Sequence, residues 1–138
     1  MYKKIIASAL AVAMCITLGT SRSSFAQASG TERSWSLSLP HENGNYYYPF
    51  RTKETNEKTG YVEVGSLSSS GVNVWFNKGE DLQSAVRITD VVKFKKACKK
   101  DVIYKTNYSK GKKVDMGIEN ADATILFRDK ASGIVNYK

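Results

Sequence analysis

The feature that most constrains the fold of this chain is a two-residue alternation of apolar and polar side chains, repeated in short segments. In SWSLSL (34–39) three apolar residues alternate with three serines. In KVDMGIE (113–119), Val114, Met116 and Ile118 alternate with aspartate, glycine and glutamate. Because successive side chains of a strand point to opposite faces, this pattern predicts strands with one face in a core.

Further segments of this kind follow one another, separated by turn-forming residues. The strand candidates are 46–50 (as an extended loop or edge segment), 61–67, 72–76, 85–94, 101–108, 123–127 and 134–137. Turns are predicted at 68–71, 77–81, 109–112, 120–122 and 128–133, and Gly111 is available for a positive φ. Short strands with turns about every 8–12 residues are typical of a β-sandwich or barrel. We therefore predict an all-β fold, a single antiparallel β-sandwich of about seven or eight strands.

The amino-terminal segment 1–28 predicts a cleaved secretory signal peptide. Two lysines precede an uncharged apolar run of 14 residues (5–18), and a small-x-small motif ends at Ala28. The run is short for a membrane span, which needs about 20 residues. We expect cleavage after Ala28, leaving a β-sandwich domain at 29–138 without a stable transmembrane segment. The expected location is secreted, either extracellular or loosely associated with the cell surface.

The expected mature chain is basic and poor in cysteine. The full sequence has 21 Lys and Arg and 13 Asp and Glu, and three of the basic residues lie in 1–28, so the mature net charge is +5. The single remaining cysteine excludes an internal disulfide, although small exported domains often use several. An exported chain of this composition, with a Lys-Lys start, fits a Gram-positive bacterium.

Positive charge is concentrated in one part of the sequence. From Lys93 to Lys113 there are nine lysines and one acid, Asp101. The candidate anionic-ligand residues are Lys93, Lys95, Lys96, Lys99, Lys100, Lys105, Lys110, Lys112 and Lys113. Such a field attracts an anionic cell-wall polymer or a lipid surface. Nucleic acid is not an expected partner, because the protein is exported and the cluster lacks arginine for base contacts.

Two local structures fit the start of this lysine-rich part. As a helix, Val91, Phe94 and Cys98 would form one apolar stripe on a short basic amphipathic element, a membrane-surface signature. As a strand, Val92 and Phe94 would face inward, and a turn would follow at 97–100. The helix would span about three turns, which is marginal in water. The surrounding β pattern favours the strand and turn.

Residues for catalysis or metal binding are scarce. Cys98 has three interpretations: a buried inert thiol, the link of a disulfide-bonded dimer, or a reactive thiolate favoured by the surrounding lysines. The only histidine, His41, lies in a distant loop, so a thiol or serine mechanism has one candidate base. We predict no catalytic, metal or cofactor site and a non-enzymatic protein.

Four segments carry a resemblance to a known class of proteins: YYYPFRTKETNEKTGYVEV, SGVNVWF, YSKGKKVDMGIENADAT and ASGIVNY. Together they resemble small exported proteins of Gram-positive bacteria. The spacing Tyr-x-x-Gly-x-x-Val-x-x-x-x-Glu-Asn (108–120) is distantly similar to the lactococcin-type bacteriocins, exported β-sandwich proteins that act on cell walls or membranes. The resemblance covers most of 46–137, and no functional residue is carried across. The chain lacks the shorter length and the Trp-rich ending of those bacteriocins.

Three functional hypotheses follow from the sequence. The first is a secreted, non-enzymatic protein of the cell envelope or exterior that binds anionic surface material through the lysine-rich edge. The alternative is a bacteriocin-like secreted effector that acts on the wall or membrane of other cells. The third is a hydrolase or an enzyme inhibitor.

Overall fold

The computed structural model describes residues 31–40, 44–68, 70–79, 86–122 and 128–138. The predicted signal peptide, His41 and the strand predicted at 123–127 lie outside these ranges. Within them the strands are β1 (Glu32–Ser38), β2 (Asn45–Thr52), β3 (Thr59–Leu67), β4 (Val72–Lys78), β5 (Val92–Phe94), β6 (Cys98–Ile103), β7 (Lys113–Asn120) and β8 (Lys130–Asn136).

The strands form two four-stranded sheets, both antiparallel. The strand order is β1-β8-β3-β6 in the first sheet and β2-β7-β4-β5 in the second. One hydrophobic cluster draws buried side chains from both sheets, including Val62 and Val135 of the first and Val74 and Met116 of the second. This confirms the predicted all-β sandwich of about eight strands.

The four edge strands meet in pairs at the two sides of the sandwich. At the β1–β2 margin, the Tyr48 hydroxyl donates a hydrogen bond of 3.1 Å to the Ser34 carbonyl oxygen. At the β5–β6 margin, β5 leads through a bend at 95–97 directly into β6. These two margins lie on opposite sides of the sheets, and each carries charged side chains.

The alternation predicted the core face but not everything that is buried. Val114, Met116 and Ile118 are fully buried in the core, as their spacing predicts. Gly117 and Trp75, which oppose each other on β7 and β4, are buried as well. The indole of Trp75 lies where a side chain at position 117 would otherwise stand, and the Arg87 guanidinium is 4.6 Å from its ring centroid. The outer face of this sheet is therefore itself partly covered.

Local predictions differ from the structure in several places, and the strand predicted at 101–108 ends at Ile103. Lys130–Asn136 is a continuous strand, whereas 128–133 was predicted to be a turn. β6 begins at Cys98, so the bend after β5 lies at 95–97 rather than at 97–100. Val86 and Ile88 do not lie in a strand, because this segment makes only isolated bridges through Arg87 and Thr89. The turn glycine is confirmed, since Gly111 has a φ of +87°.

Candidate functional site

Four of the nine predicted lysines come together at the β5–β6 margin. Lys93, Lys95, Lys96 and Lys100, together with Cys98, line a surface cleft of about 430 Å³. We call this group of four lysines the lysine corner. Its position follows from Phe94, which ends β5 with a fully buried ring and so fixes where the chain bends. Among the described residues that line the cleft, none is acidic.

Lys100 connects the two strands at the lysine corner. It pairs with the core residue Val62, so its side chain leaves β6 on the face that looks toward the other sheet. Its amine donates a hydrogen bond of 2.6 Å to the Lys93 carbonyl oxygen and lies 5.3 Å from the Phe94 ring centroid. The amine thus joins β6 to β5 across the margin. Lys93, Lys95 and Lys96 are exposed around it.

The structure separates the other five predicted lysines from this corner. They are Lys99, Lys105, Lys110, Lys112 and Lys113. The Lys99 amine lies 3.4 Å from the centroid of the Tyr61 ring. Tyr61 is on β3, which pairs with β6. Lys105 forms an ion pair with Asp90, with an N–O distance of 2.7 Å.

The remaining three lysines lie in and after the turn at 109–112, near the opposite end of β6. The backbone of Lys53 exchanges hydrogen bonds with this turn, and the Lys113 amine is 4.5 Å from the Phe50 ring centroid. Because the six residues of β6 rise about 3.3 Å each, nearly 20 Å of strand lies between the two groups. The nine lysines therefore do not form one continuous line.

Cys98 is a free, half-buried thiol that packs against the hydrophobic core. Its strand position places it on the same face as Lys100 and Val102, toward the second sheet. It is one of the residues that line the cleft, and the residue as a whole is partly exposed. A dimer linked through Cys98 remains a prediction.

Sequence reasoning missed a buried lysine, Lys53, which is only 1% exposed. Its amine donates hydrogen bonds to the carbonyl oxygens of Glu57, at 2.6 Å, and Lys138, and it lies 4.8 Å from the Tyr104 ring centroid. Burial lowers the pKa of this amine, and the nearby Glu57 carboxylate partly offsets that effect. Lys53 thereby fastens the loop after β2 to the chain that follows β8. Its setting, RTKETNEKTG, has no apolar periodicity that would signal burial.

Asp115 is a second buried charged residue that the alternation assigned to the solvent face. It is fully buried on β7, and its Oδ1 accepts a hydrogen bond of 2.7 Å from the Asn77 amide. The other carboxylate oxygen has no hydrogen-bond partner among the residues that the structure describes. Burial raises the pKa of the Asp115 carboxyl, and the hydrogen bond from Asn77 only partly opposes this. The ionised form is therefore a cost to the folded state.

Asp115→Asn is expected to stabilise the domain at pH 7 by about 1 kcal/mol, because it removes a buried negative charge while its amide oxygen can still accept the hydrogen bond from Asn77. The native carboxyl binds its proton more readily than an unfolded one, whose pKa is 3.8. Stability contributed by this group therefore falls as the pH rises from 3.8 through the raised pKa. Urea unfolding at several pH values should show the gain at neutral pH and its loss in acid.

The exposed Asp101 supplies the matched control for that measurement. Asp101→Asn removes the same charge from β6 and should change the free energy of unfolding by no more than about 0.5 kcal/mol at any pH. An Asp115→Asn protein less stable than the wild type at pH 7 would contradict the assigned cost.

Neither a metal cluster nor a membrane-spanning helix is found in the part of the chain that the structure describes. No group of three or more His, Cys, Asp and Glu side chains is placed there to hold a metal ion. Nor does any helix in these ranges have the length and apolar character needed to cross a bilayer.

Comparison with known proteins adds a likeness of fold. Neither a protein-family model nor a curated protein matches the sequence. Among solved structures, the chain is similar to the crystal structure of PirA, with a TM-score of 0.50 and 6% sequence identity. The match covers 83% of this chain and 99% of that one. At this identity the similarity concerns the fold alone, so what this chain binds has to be argued from its own side chains.

Proposed function

We propose that the protein is a secreted, non-enzymatic component of the bacterial cell envelope or exterior, and that it binds anionic surface material through the lysine corner. The observation that carries this proposal is the cleft lined by Lys93, Lys95, Lys96 and Lys100, with no acidic residue among the described residues of its wall. Clustered amines raise the local concentration of anions more than the same charges spread over a surface.

The chemistry of the lysine corner favours repeated anionic groups over a single specific anion. A lysine amine is a compact point charge on a flexible stem, and it lacks the planar fork with which arginine clamps one phosphate or carboxylate. The stems of these lysines, with Cys98, give the cleft largely apolar walls, since a lysine can cover apolar surface with its stem and keep its amine in water. Envelope polymers and lipid headgroups both present such phosphates or carboxylates in rows.

Replacing Lys93, Lys95 and Lys96 together with glutamine is expected to weaken binding to isolated Gram-positive cell walls about tenfold at low salt. Each exposed charge contact contributes about 0.2–1 kcal/mol, so three should amount to roughly one factor of ten. Lys100 is left in place because its amine supports the β5–β6 margin. Cosedimentation with walls, and with vesicles of phosphatidylglycerol or phosphatidylcholine, measures the effect and separates polymer from lipid.

A charge-matched control is available at exposed lysines outside the corner. Lys58→Gln with Lys78→Gln and Lys110→Gln removes the same three charges and should weaken wall binding less than threefold. Raising the salt to about 1 M, where the Debye length is about 3 Å, should release the wild type. If wild-type protein ignores both walls and anionic vesicles at low salt, or if the two triple variants lose binding equally, the lysine corner is not the binding surface.

A further inference from the structure

The stems of the lysine corner leave the chain from two faces of the β5–β6 margin and from the bend between them. Lys93 is opposite Asn73 and lies on the outer face of the second sheet, whereas Lys100 leaves β6 on the face that looks toward that sheet. Lys95 and Lys96 lie in the bend, and both are exposed. The four amines are therefore spread over an area rather than along one line.

Protection of the sheet edges accounts for only part of this arrangement. Charged side chains on edge strands deter sheet-to-sheet aggregation, which explains Lys93 on β5 and Lys100 on β6. Lys95 and Lys96 lie outside both strands, so they have no unpaired strand edge to protect. The acid nearest in sequence, Asp101, is opposite Tyr61 on the outer face of the first sheet. Mutual repulsion of the amines is thus a cost that edge protection leaves unexplained.

Apolar surface accompanies these charges. The cleft of about 430 Å³ is walled by lysine stems and by Cys98, which packs against the hydrophobic core. Val91, the residue before β5, is 39% exposed, and Ala97 in the bend is exposed as well. Amines beside exposed apolar side chains are complementary to a ligand surface that is anionic outside and hydrocarbon beneath.

An anionic bilayer fits both properties better than a wall polymer does. A polymer presents its phosphates or carboxylates along one line, and it offers little hydrocarbon to apolar side chains. A bilayer presents headgroups in two dimensions, so amines spread around a bend can each reach one while their stems cover apolar surface. Each basic residue held at such a surface raises the affinity about fivefold.

We propose that the β5–β6 margin docks on the surface of an anionic lipid bilayer, with the four amines of the lysine corner at the headgroups and with Val91 and Ala97 at the boundary of the acyl chains. This inference rests on the function proposed above and names the ligand of the same site as lipid. Burial of the two apolar side chains adds a hydrophobic contribution that a wall polymer does not supply.

Cosedimentation of the expected mature protein with three probes tests the lipid assignment. The probes are vesicles containing phosphatidylglycerol, vesicles of phosphatidylcholine alone, and isolated cell walls freed of lipid. At low salt, the phosphatidylglycerol vesicles should bind at least tenfold more tightly than the phosphatidylcholine vesicles. Val91→Ser should weaken binding to the phosphatidylglycerol vesicles at least threefold and leave wall binding unchanged. Unchanged vesicle binding by Val91→Ser would overturn the proposal.

Val86→Ser is the matched control, because it makes the same substitution on the same segment at a position that is 53% exposed. The Val86 carbonyl accepts a hydrogen bond from Lys78, five residues of β4 or about 16 Å from Asn73, which is opposite Lys93. This variant should bind vesicles and walls like the wild type. Equal weakening by both valine variants would remove the β5–β6 margin as the docking surface.

A fluorescent label in the bend measures insertion directly. Ala97→Cys combined with Cys98→Ser keeps all four lysines and leaves one thiol in the expected mature chain. An environment-sensitive dye on this thiol should shift its emission to shorter wavelength on phosphatidylglycerol vesicles but not on walls. The same dye on Ser36→Cys with Cys98→Ser, at an exposed position of β1, should not shift. Bound protein with an unshifted label at 97 would overturn the insertion.

The outcomes separate this inference from the function on which it rests. Binding to walls that depends on Lys93, Lys95 and Lys96, without binding to phosphatidylglycerol vesicles, would keep the proposed function and overturn the lipid assignment. A protein that ignores both walls and vesicles would overturn both. Vesicle binding that is weakened by Val91→Ser and accompanied by a shifted label at 97 supports the docking of this margin on lipid.

Discussion

Met116→Lys is expected to abolish the folded state at neutral pH and 25 °C. Met116 is fully buried at the centre of β7, opposite Phe76 of β4 on one side and Tyr48 of β2 on the other. An amine introduced there would face the apolar core between the sheets, where an ionised group without a partner costs several kcal/mol. Domains of this size have a total stability of roughly 5–15 kcal/mol, and the packing of the methionine would be lost as well.

Circular dichroism and amide NMR dispersion of the purified variant measure this result. Ile103→Lys is the matched control, since it introduces the same side chain on β6 at a position that is 66% exposed. That variant should unfold cooperatively in urea within about 0.5 kcal/mol of the wild type. If Met116→Lys kept native dispersion and lost less than about 2 kcal/mol, the inner face of β7 would not be the core of the sandwich.

The fold class could be predicted because one property, the period of two, recurs wherever one sheet face meets the core. Trp35 and Leu37 on β1, and Val114, Met116 and Ile118 on β7, are buried as that period requires. Which strands pair could not be predicted, because antiparallel partners are chosen by long-range packing. β1, for example, lies beside β8, nearly 100 residues later in the chain.

The turn predicted at 128–133 shows where local composition misleads. Charged residues, serine and glycine are typical of turns, and RDKASG has all of them. Yet β8 lies between β1 and β3, so its backbone forms ladders on both sides from Lys130 onward. Backbone hydrogen bonds on two sides outweigh the weak preferences of single residues, which is a general property of central strands.

The candidate site was predicted only in part, for a geometric reason. Counting charges along the sequence treats Lys93 to Lys113 as one field, but an antiparallel strand carries the chain from one end of the sheet to the other. β6 lies in the middle of this segment, so Lys93 and Lys113 lie near opposite ends of this strand. The density of lysines indicated that a basic surface exists, and the fold decides which four of them share a cleft.

Buried polar residues were the least predictable part of the molecule. Lys53 and Asp115 are charged residues of the kind usually found at the surface, and nothing in the neighbouring sequence indicates that they are buried. A cleft of about 250 Å³ between β1 and β2, whose lining includes Arg33, Arg51 and Tyr137, was missed for a related reason. Its members lie in the first, second and last parts of the described chain, and they meet only because β1 and β2 form one margin of the sandwich.

Gly133→Ala is expected to destabilise the domain by about 3 kcal/mol or more, the upper range for overpacking in a well-filled interior. Gly133 lies in the middle of β8, opposite Trp35 of β1 and Val64 of β3. A Cβ at this position would overlap the Glu63 carbonyl oxygen and would lie 2.9 Å from the carbonyl carbon. Because the obstacle is backbone, relief requires β3 and β8 to move apart, and that breaks the central ladder of the first sheet.

Urea unfolding of Gly133→Ala beside Ser132→Ala makes this prediction specific. Ser132 is the preceding residue of β8 and is half-buried, so its replacement changes the same strand without adding an atom near β3. Ser132→Ala should stay within about 0.5 kcal/mol of the wild type. Equal midpoints for the two variants would mean that β3 does not approach β8 as closely as the register requires. Glycine is needed here because the backbone of β3 occupies the space that a side chain would fill. The composition of RDKASG, which is typical of a turn, does not indicate this role.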